Sequence, residues 1–405
     1  MRFAFIYFFI LSLNYVSGQQ YSLDDFTMLP KLKWSFQTSE PIFSSPVAVN
    51  NHIFFAGLDS NVYAVNANSG QPTWKFSTKG PIRATPLFYR ENLYVNSGDG
   101  YLYCLDLNGK EIWKFRRPEE KTYELYGYAD YFHSSPVADS NTVFFGGGDS
   151  TIYALDAGSG NLIWRYKTGN LVHGTGTISN RLFVIGSFDG RVYALDKKTG
   201  MLAWSFKSVG QQYFPLGEMQ GSAFSFANII IIGSRDYNLY ALDASKGYGT
   251  WNRKFPKGWA MGVPRVEDSI LYVGTSDDME LLALNPFTGE TKWKAPLNFN
   301  IFGAPAFTSN VVYCGTLMGR LFGIEKATGK ILWDFKTENF LKNRNQYFQA
   351  DESYRSDIQR IIQKGDDFLT MYYSLGAIFS TPLIYGGHLY FTSTDGKLYC
   401  LKKSS

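Results

Sequence analysis

The sequence is poor in the residue patterns on which most catalysis rests. Only three cysteines occur in 405 residues, Cys104, Cys314 and Cys400, and no two are adjacent. Odd in number and far apart, they exclude a disulfide framework and a C-x-x-C redox motif, and each reads as a small apolar residue within a strand-like run. There is no G-x-S-x-G, no P-loop and no Ser-His-Asp context, and Gly146-Gly147-Gly148 sits inside a hairpin pattern. The net charge of +4 is small and dispersed, which excludes a nucleic-acid footprint. No N-x-S/T sequon occurs, which favours a bacterial source.

Apolar runs are also scarce. The one long run, Phe3 to Leu13, follows Arg2 and precedes Val16-Ser17-Gly18, so residues 1–18 read as a signal peptide with the mature chain starting near Gln19. The alternative is an uncleaved anchor. No later stretch is long enough to cross a bilayer, and the leader has no cysteine for lipid attachment. Export to a periplasm or the medium is expected, as a monomer.

What the chain has in abundance is aromatic residues, 17% of the total, and 39 glycines spaced along its length. Both suit many short strands joined by tight turns. The stretch GDSTIYALDAGSGNLIW (148–164) is rewritten as NVYAVNANSGQPTW, YLYCLDLNGKEIW, RVYALDKKTGMLAW, NLYALDASKGYGTW, LLALNPFTGETKW and RLFGIEKATGKILW. The closing residues are Trp74, Trp113, Trp164, Trp204, Trp251, Trp293 and Trp333, about 40 residues apart, which is the period of a four-stranded propeller blade. After Trp333 three strand patterns remain without a fourth, and the missing one lies near the N-terminus, LKWSFQ around Trp34. The expectation is an all-β, eight-bladed propeller over residues 19–405, a single domain whose ring is closed by a strand from about 30–37.

These repeats resemble the pyrroloquinoline-quinone (PQQ) repeat propellers, whose blade motif A-x-D-x-x-T-G-x-x-x-W is matched by Ala194, Asp196, Thr199, Gly200 and Trp204. The resemblance covers residues 30 to 402. It implies that each tryptophan packs between adjacent blades, so that truncating one costs about 3–5 kcal/mol. It implies two functional branches: quinoprotein dehydrogenases, which hold PQQ and calcium on the propeller axis, and non-catalytic scaffolds of the BamB type. The adjacent cysteine pair usual in the first branch is absent, and none of its calcium ligands or catalytic Asp maps onto this chain. BamB is lipid-anchored through a cysteine that this leader lacks.

Candidate sites follow from where the blades differ. Insertions fall only in the linkers from strand four to the next strand one, at 116–132, 209–219 and 338–378, and mark one working face. The residues preceding the small-residue motif of each strand one are Phe43, Arg83, His133, His173, Gln220, Met261, Phe302 and Phe379. As a ring at the channel mouth they combine a polar arc with an apolar one, which suits a small amphipathic ligand; otherwise they point into the blades or bond neighbouring carbonyls. The two histidines lack a carboxylate to complete a metal set, and Glu124, Asp130, Glu218 and Asp351 read as solvated. His52 and His388 read as surface residues on the opposite face. The stretch 351–365 has the spacing of a short amphipathic helix, a lid or a partner dock. Tyr123, Tyr126, Tyr128, Tyr131 and Phe132 form an aromatic loop suited to sugars or peptides, or to anchoring itself. Three functions follow: a binding or assembly scaffold with a protein partner and no cofactor, a PQQ- and calcium-dependent dehydrogenase of alcohols or sugars, and a carbohydrate-binding propeller.

Overall fold

A computed structural model describes residues 25–118, 121 and 130–404. The expected leader, together with Tyr123, Glu124, Tyr126 and Tyr128, lies outside them. Eight four-stranded antiparallel sheets form the propeller, seven of them from consecutive strands. The eighth takes Leu383–Tyr385, His388–Thr392 and Lys397–Lys402 from the C-terminus, and Lys31–Gln37 from the N-terminus as its outer strand. Trp34 pairs across from Cys400 in that closure.

The contacts explain each letter of the repeat. The aspartate caps the turn that follows it: Asp196 accepts from the amides of Lys198 and Thr199, both at 3.1 Å. The tryptophan donates its indole N–H to a backbone carbonyl in the next blade, as in Trp74 to Leu107 at 2.8 Å and Trp204 to Ala244 at 3.0 Å. The glycine carries positive φ and lies against the ring of the preceding blade's tryptophan. A Cβ on Gly247 would stand 2.4 Å from a ring carbon of Trp204. The small residue pairs directly across the strands from its own blade's tryptophan, Ala194 from Trp204 and Ala154 from Trp164. Cys104 and Cys400 occupy this position in blades two and eight, opposite Trp113 and Trp34. All three cysteines are buried and free, and burial pushes the Cys104 and Cys400 thiols up to about 12, which keeps them protonated.

Blade eight has no turn between its third and fourth strands, because these come from opposite ends of the chain. Residues 25 and 26 substitute for it. The Phe26 carbonyl accepts the Trp333 indole N–H at 2.6 Å, its amide donates to the Tyr313 hydroxyl at 2.9 Å, and Asp25 accepts from Thr308 and Asn310. Ring closure therefore begins before the strand itself.

A second belt runs round the inner strands. The middle residue of the small-residue motif offers a hydroxyl to the amide of the blade before it: Thr381 to Ser45, Ser45 to Thr85, Thr85 to Ser135, Ser135 to Thr175 and Thr175 to Ser222, at 2.9–3.4 Å. Blades six and seven, with Val263 and Ala304, have no hydroxyl to offer.

The longest insertion differs from expectation in detail. It holds two α-helices, α1 (Glu338–Asn343) and α2 (Gly365–Leu375), but residues 351–365 form only a 3-10 turn at Ile358–Arg360. Gly365 opens α2 rather than closing a helix, and Asp367 accepts the amides of Gln363 and Lys364 at its start. Asp351 is spent on a local turn with Ser353 instead of capping a helix. Ile358 and Ile362 still pack inward, against the axial cluster described below.

Candidate functional site

The insertions and the turns between second and third strands meet at one end of the propeller. Leu58 bonds Pro41, Phe188 bonds Leu171, Arg235 bonds Glu218 and Leu317 bonds Asn300, each through backbone at 2.8–3.0 Å. The eight residues that begin the inner strands converge there. Phe43, Met261, Phe302 and Phe379 share one apolar cluster, each at most 3% exposed. Phe43 and Phe379 lie 4.5 Å apart between ring centroids, and Arg83 sits over Phe43 at 5.5 Å. His133 and His173 are neighbours at 5.2 Å, and Gln220 accepts a hydrogen bond from Arg235 Nε at 2.8 Å. Arg83 and His133 are half-buried, whereas His173 and Gln220 are buried.

The segment 130–132, at the end of the first insertion, ties the two arcs together. The Asp130 backbone carbonyl accepts from Arg83, and its carboxylate accepts from His173 Nδ1 at 2.9 Å. Tyr131 then reaches across to the opposite blades, packing on Phe302 at 5.4 Å, Phe379 at 5.2 Å and Tyr372 of α2 at 6.4 Å. Phe340, Met371 and Leu375 complete this cap from α1 and α2. One side of the mouth is thus closed by rings from the first and third insertions and from the strand starts of blades one, seven and eight, and the other by an ionic lattice.

Two carboxylates read from the sequence as solvated are corrected here. Asp130 is 2% exposed and Glu218 1% exposed. Burial pushes the Asp130 carboxyl up, but the charges of His173, His133 and Arg235 outweigh it and hold the group below the ordinary carboxylate value. Asp351 is exposed, as read. Arg235 is fully buried, its guanidinium 4.8 Å from Trp259, 5.2 Å from Phe188 and 5.5 Å from Phe214. Sequence reasoning missed it. The only signal was a cation at the turn position that blades one, two, four, seven and eight fill with Leu58, Gly98, Phe188, Leu317 and Thr394. Trp259, the tryptophan outside the repeat, is explained by this box. His52 and His388 are half-buried and make backbone bonds to Asn50 and Gly386.

Among the described residues no group of three or more His, Cys, Asp or Glu is placed to hold a metal, and no helix is long and apolar enough to cross a membrane. The family model of the outer membrane protein assembly factor BamB matches residues 30–129, 129–258 and 235–361. Among solved structures, BamB from Moraxella catarrhalis superposes with a TM-score of 0.66 at 17% identity, over 92% of this chain and 98% of that one. Quinohemoprotein alcohol dehydrogenase from Comamonas testosteroni gives 0.67 at 14% identity, over 93% and 77%. A europium-containing methanol dehydrogenase gives 0.67 at 14%, over 92% and 93%. No curated protein sequence matches the chain. At these identities the structural likeness concerns the fold, and it is shared by an assembly factor and by enzymes.

Proposed function

We propose a binding role for this chain, which belongs to the family of the outer membrane protein assembly factor BamB: an exported, non-catalytic scaffold that engages a protein partner with the face built by the three insertions. The observation that carries this reading is the closed axial mouth. Where the enzyme branch holds its quinone, Phe43, Met261, Phe302 and Phe379 are packed to within a few per cent of complete burial, with Tyr131 seated among them. These side chains do not fit a quinone with calcium, since they offer neither an open slot nor a metal-ligand set among the described residues. The polar arc is equally committed, to Asp130 and Arg235. By contrast the rim of the same face exposes Val209 at 79%, Tyr213 at 63% and Leu341 at 63%, residues available to a partner.

The test is a titration of the purified mature chain with PQQ, with and without calcium, alongside quinone-dependent dye reduction with alcohols and sugars. No saturable binding and no turnover are expected. Binding near one equivalent, or turnover lost on substituting Arg83 or His173, would overturn the scaffold reading in favour of the dehydrogenase.

A further inference from the structure

Blade six departs from the repeat in a way that leaves two carboxylates without their structural partner. In blades one to five and eight the aspartate of the turn between strands two and three accepts a hydrogen bond from the tyrosine four residues on, as Asp59 does from Tyr63 and Asp189 from Tyr193. The turn of blade six is one residue longer and carries Asp277 and Asp278, while the tyrosine position is Leu282. Thr275 takes over the turn: its hydroxyl accepts the Glu280 amide at 2.9 Å, as Asp59 accepts the Asn61 amide in blade one. The two aspartates keep three neutral donors, Ser276 at 3.1 Å, and Asn300 and the Lys257 amide at 3.4 Å. Among the described residues neither forms an ion pair, whereas Glu280 at the end of the same turn is paired with Lys294, and Glu352 of the third insertion with Arg320. The residues of the first insertion outside the described set, 119–120 and 122–129, include no lysine or arginine to serve as counter-charge. Asp277 is exposed, yet its neighbours displace enough water to lift its carboxyl above the ordinary value.

Exposed apolar and aromatic side chains adjoin this pair. Trp259 is bonded twice to Ser276, the residue before Asp277: its amide donates to the hydroxyl at 2.9 Å and its carbonyl accepts the amide at 3.0 Å. Phe214 packs on Trp259 at 5.2 Å and is the buried foot of the second insertion, whose tip exposes Val209, Tyr213 and Leu216. That tip is held in place, since Gln211 and Phe214 bond each other through backbone at 3.1 and 3.2 Å and Ser208 donates to the Gly217 carbonyl at 2.9 Å. On the other side Asn300, which donates to Asp277, follows Phe299, and Phe299 packs on the exposed Tyr354 at 6.5 Å. Tyr237, at the turn of blade five, has a φ of +73° where blades two, four and eight carry glycine. Burial and the Asp277 charge raise both its phenol and that of Tyr354.

We infer that this surface receives a segment of the partner protein that bears a lysine or arginine beside apolar side chains. The inference rests on the scaffold reading and names the chemistry of the partner at that face. The cation supplies the charge that Asp277 and Asp278 lack and lies among tyrosine rings that stabilise it, and its apolar neighbours cover Val209, Tyr213 and Leu216. The preset tip has little conformational freedom left to lose on binding. An acidic segment is repelled by the pair, and a wholly apolar one strips water from both carboxylates without replacing it.

The experiment pans a display library of short random peptides on the mature chain, then titrates the enriched peptides by fluorescence anisotropy. Enriched sequences are expected to combine lysine or arginine with apolar residues. Affinity should fall about tenfold or more in Asp277→Asn/Asp278→Asn and in Tyr213→Ser, while Asp366→Asn on α2 leaves it unchanged. Glutamine in place of the peptide's cation should cost as much, and combining it with the aspartate substitutions should cost little further, because both remove one interaction. Unchanged melting curves certify the fold of each variant. No enrichment, enriched peptides without a cation, or affinity indifferent to the aspartate pair would overturn the assignment. Peptides that bind elsewhere on the chain leave the scaffold reading standing without this surface, whereas quinone-dependent turnover overturns the scaffold reading and this surface with it.

Discussion

A glycine-to-alanine pair separates the two reasons this fold has for using glycine. Gly247 and Gly386 both have positive φ, +78° and +56°. Around Gly386 a Cβ would meet nothing within 4 Å, whereas on Gly247 it would stand 2.4 Å from two ring carbons of Trp204. The conformational term for alanine in the left-handed region is about 1–2 kcal/mol at either site. The turn holding Gly386 bears this already elsewhere, since its counterparts in other blades include Asn50, Asn180 and Ala227, all with φ near +50°. At Gly247 the ring must also be displaced, an overpacking cost of about 1–3 kcal/mol. Gly247→Ala should therefore destabilise by roughly 1–3 kcal/mol more than Gly386→Ala, read as the difference in urea midpoints on a common m-value.

The coupling is the sharper readout. Trp204→Ala alone should cost about 3–5 kcal/mol. In Gly247→Ala/Trp204→Ala the ring is gone, so the clash vanishes and the pair should fall short of additivity by about the overpacking term. Strict additivity, or equal effects of the two glycine substitutions, would refute the claim that the tryptophan of one blade selects the glycine of the next.

Three further outcomes follow from the same geometry. Removing residues through Leu29 deletes the Phe26 carbonyl that caps Trp333 and the Asp25 carboxylate held by Thr308 and Asn310, and should lower the urea midpoint; removal through Gln37 also bares the edge of Lys397–Lys402 and should yield aggregates by light scattering. Asp130→Ala leaves the buried cations around His173 and Arg235 without their carboxylate and should cost about 3–5 kcal/mol. Because the folded carboxyl is held below its ordinary value of 3.8, its stabilisation is fully present above that value and lost as pH falls through the lower folded value; the gap between wild type and Asp130→Asn should be flat from neutrality down to about pH 5 and close only in stronger acid. A gap that closes well above pH 5 would refute the claim that the folded carboxyl is held below its ordinary value. Tyr131→Ala should destabilise by about 3–5 kcal/mol and open the axial mouth, measured as new uptake of an apolar dye.

What was legible in the sequence and what was not divide along a physical line. The blades could be read because every letter of the repeat answers to a neighbour at fixed distance along the chain or one period away: Asp196 caps its own turn, Ala194 faces its own Trp204, and Gly247 meets the Trp204 of the blade before. The ring residues Phe43 through Phe379 were located by stacking the same period, but the period carries no information about their partners. Those partners come from insertions or from positions where one blade departs from the repeat. Asp130 belongs to an insertion and finds His173 forty-three residues away; Tyr131 finds Phe302 and Phe379 across the axis; Arg235 stands at a turn position that other blades fill with uncharged residues such as Leu58, Phe188 and Leu317. The helix misplaced at 351–365 shows the same limit, because Ile358, Ile361 and Ile362 fit a helical stripe while the local bonds of Asp351 and Asp367 set the boundaries elsewhere. Architecture here is a property of the average blade, and whatever this chain binds is a property of the departures from it. The eight tryptophans say nothing of function for the same reason that they identify the fold so well: each does in its blade what the other seven do in theirs.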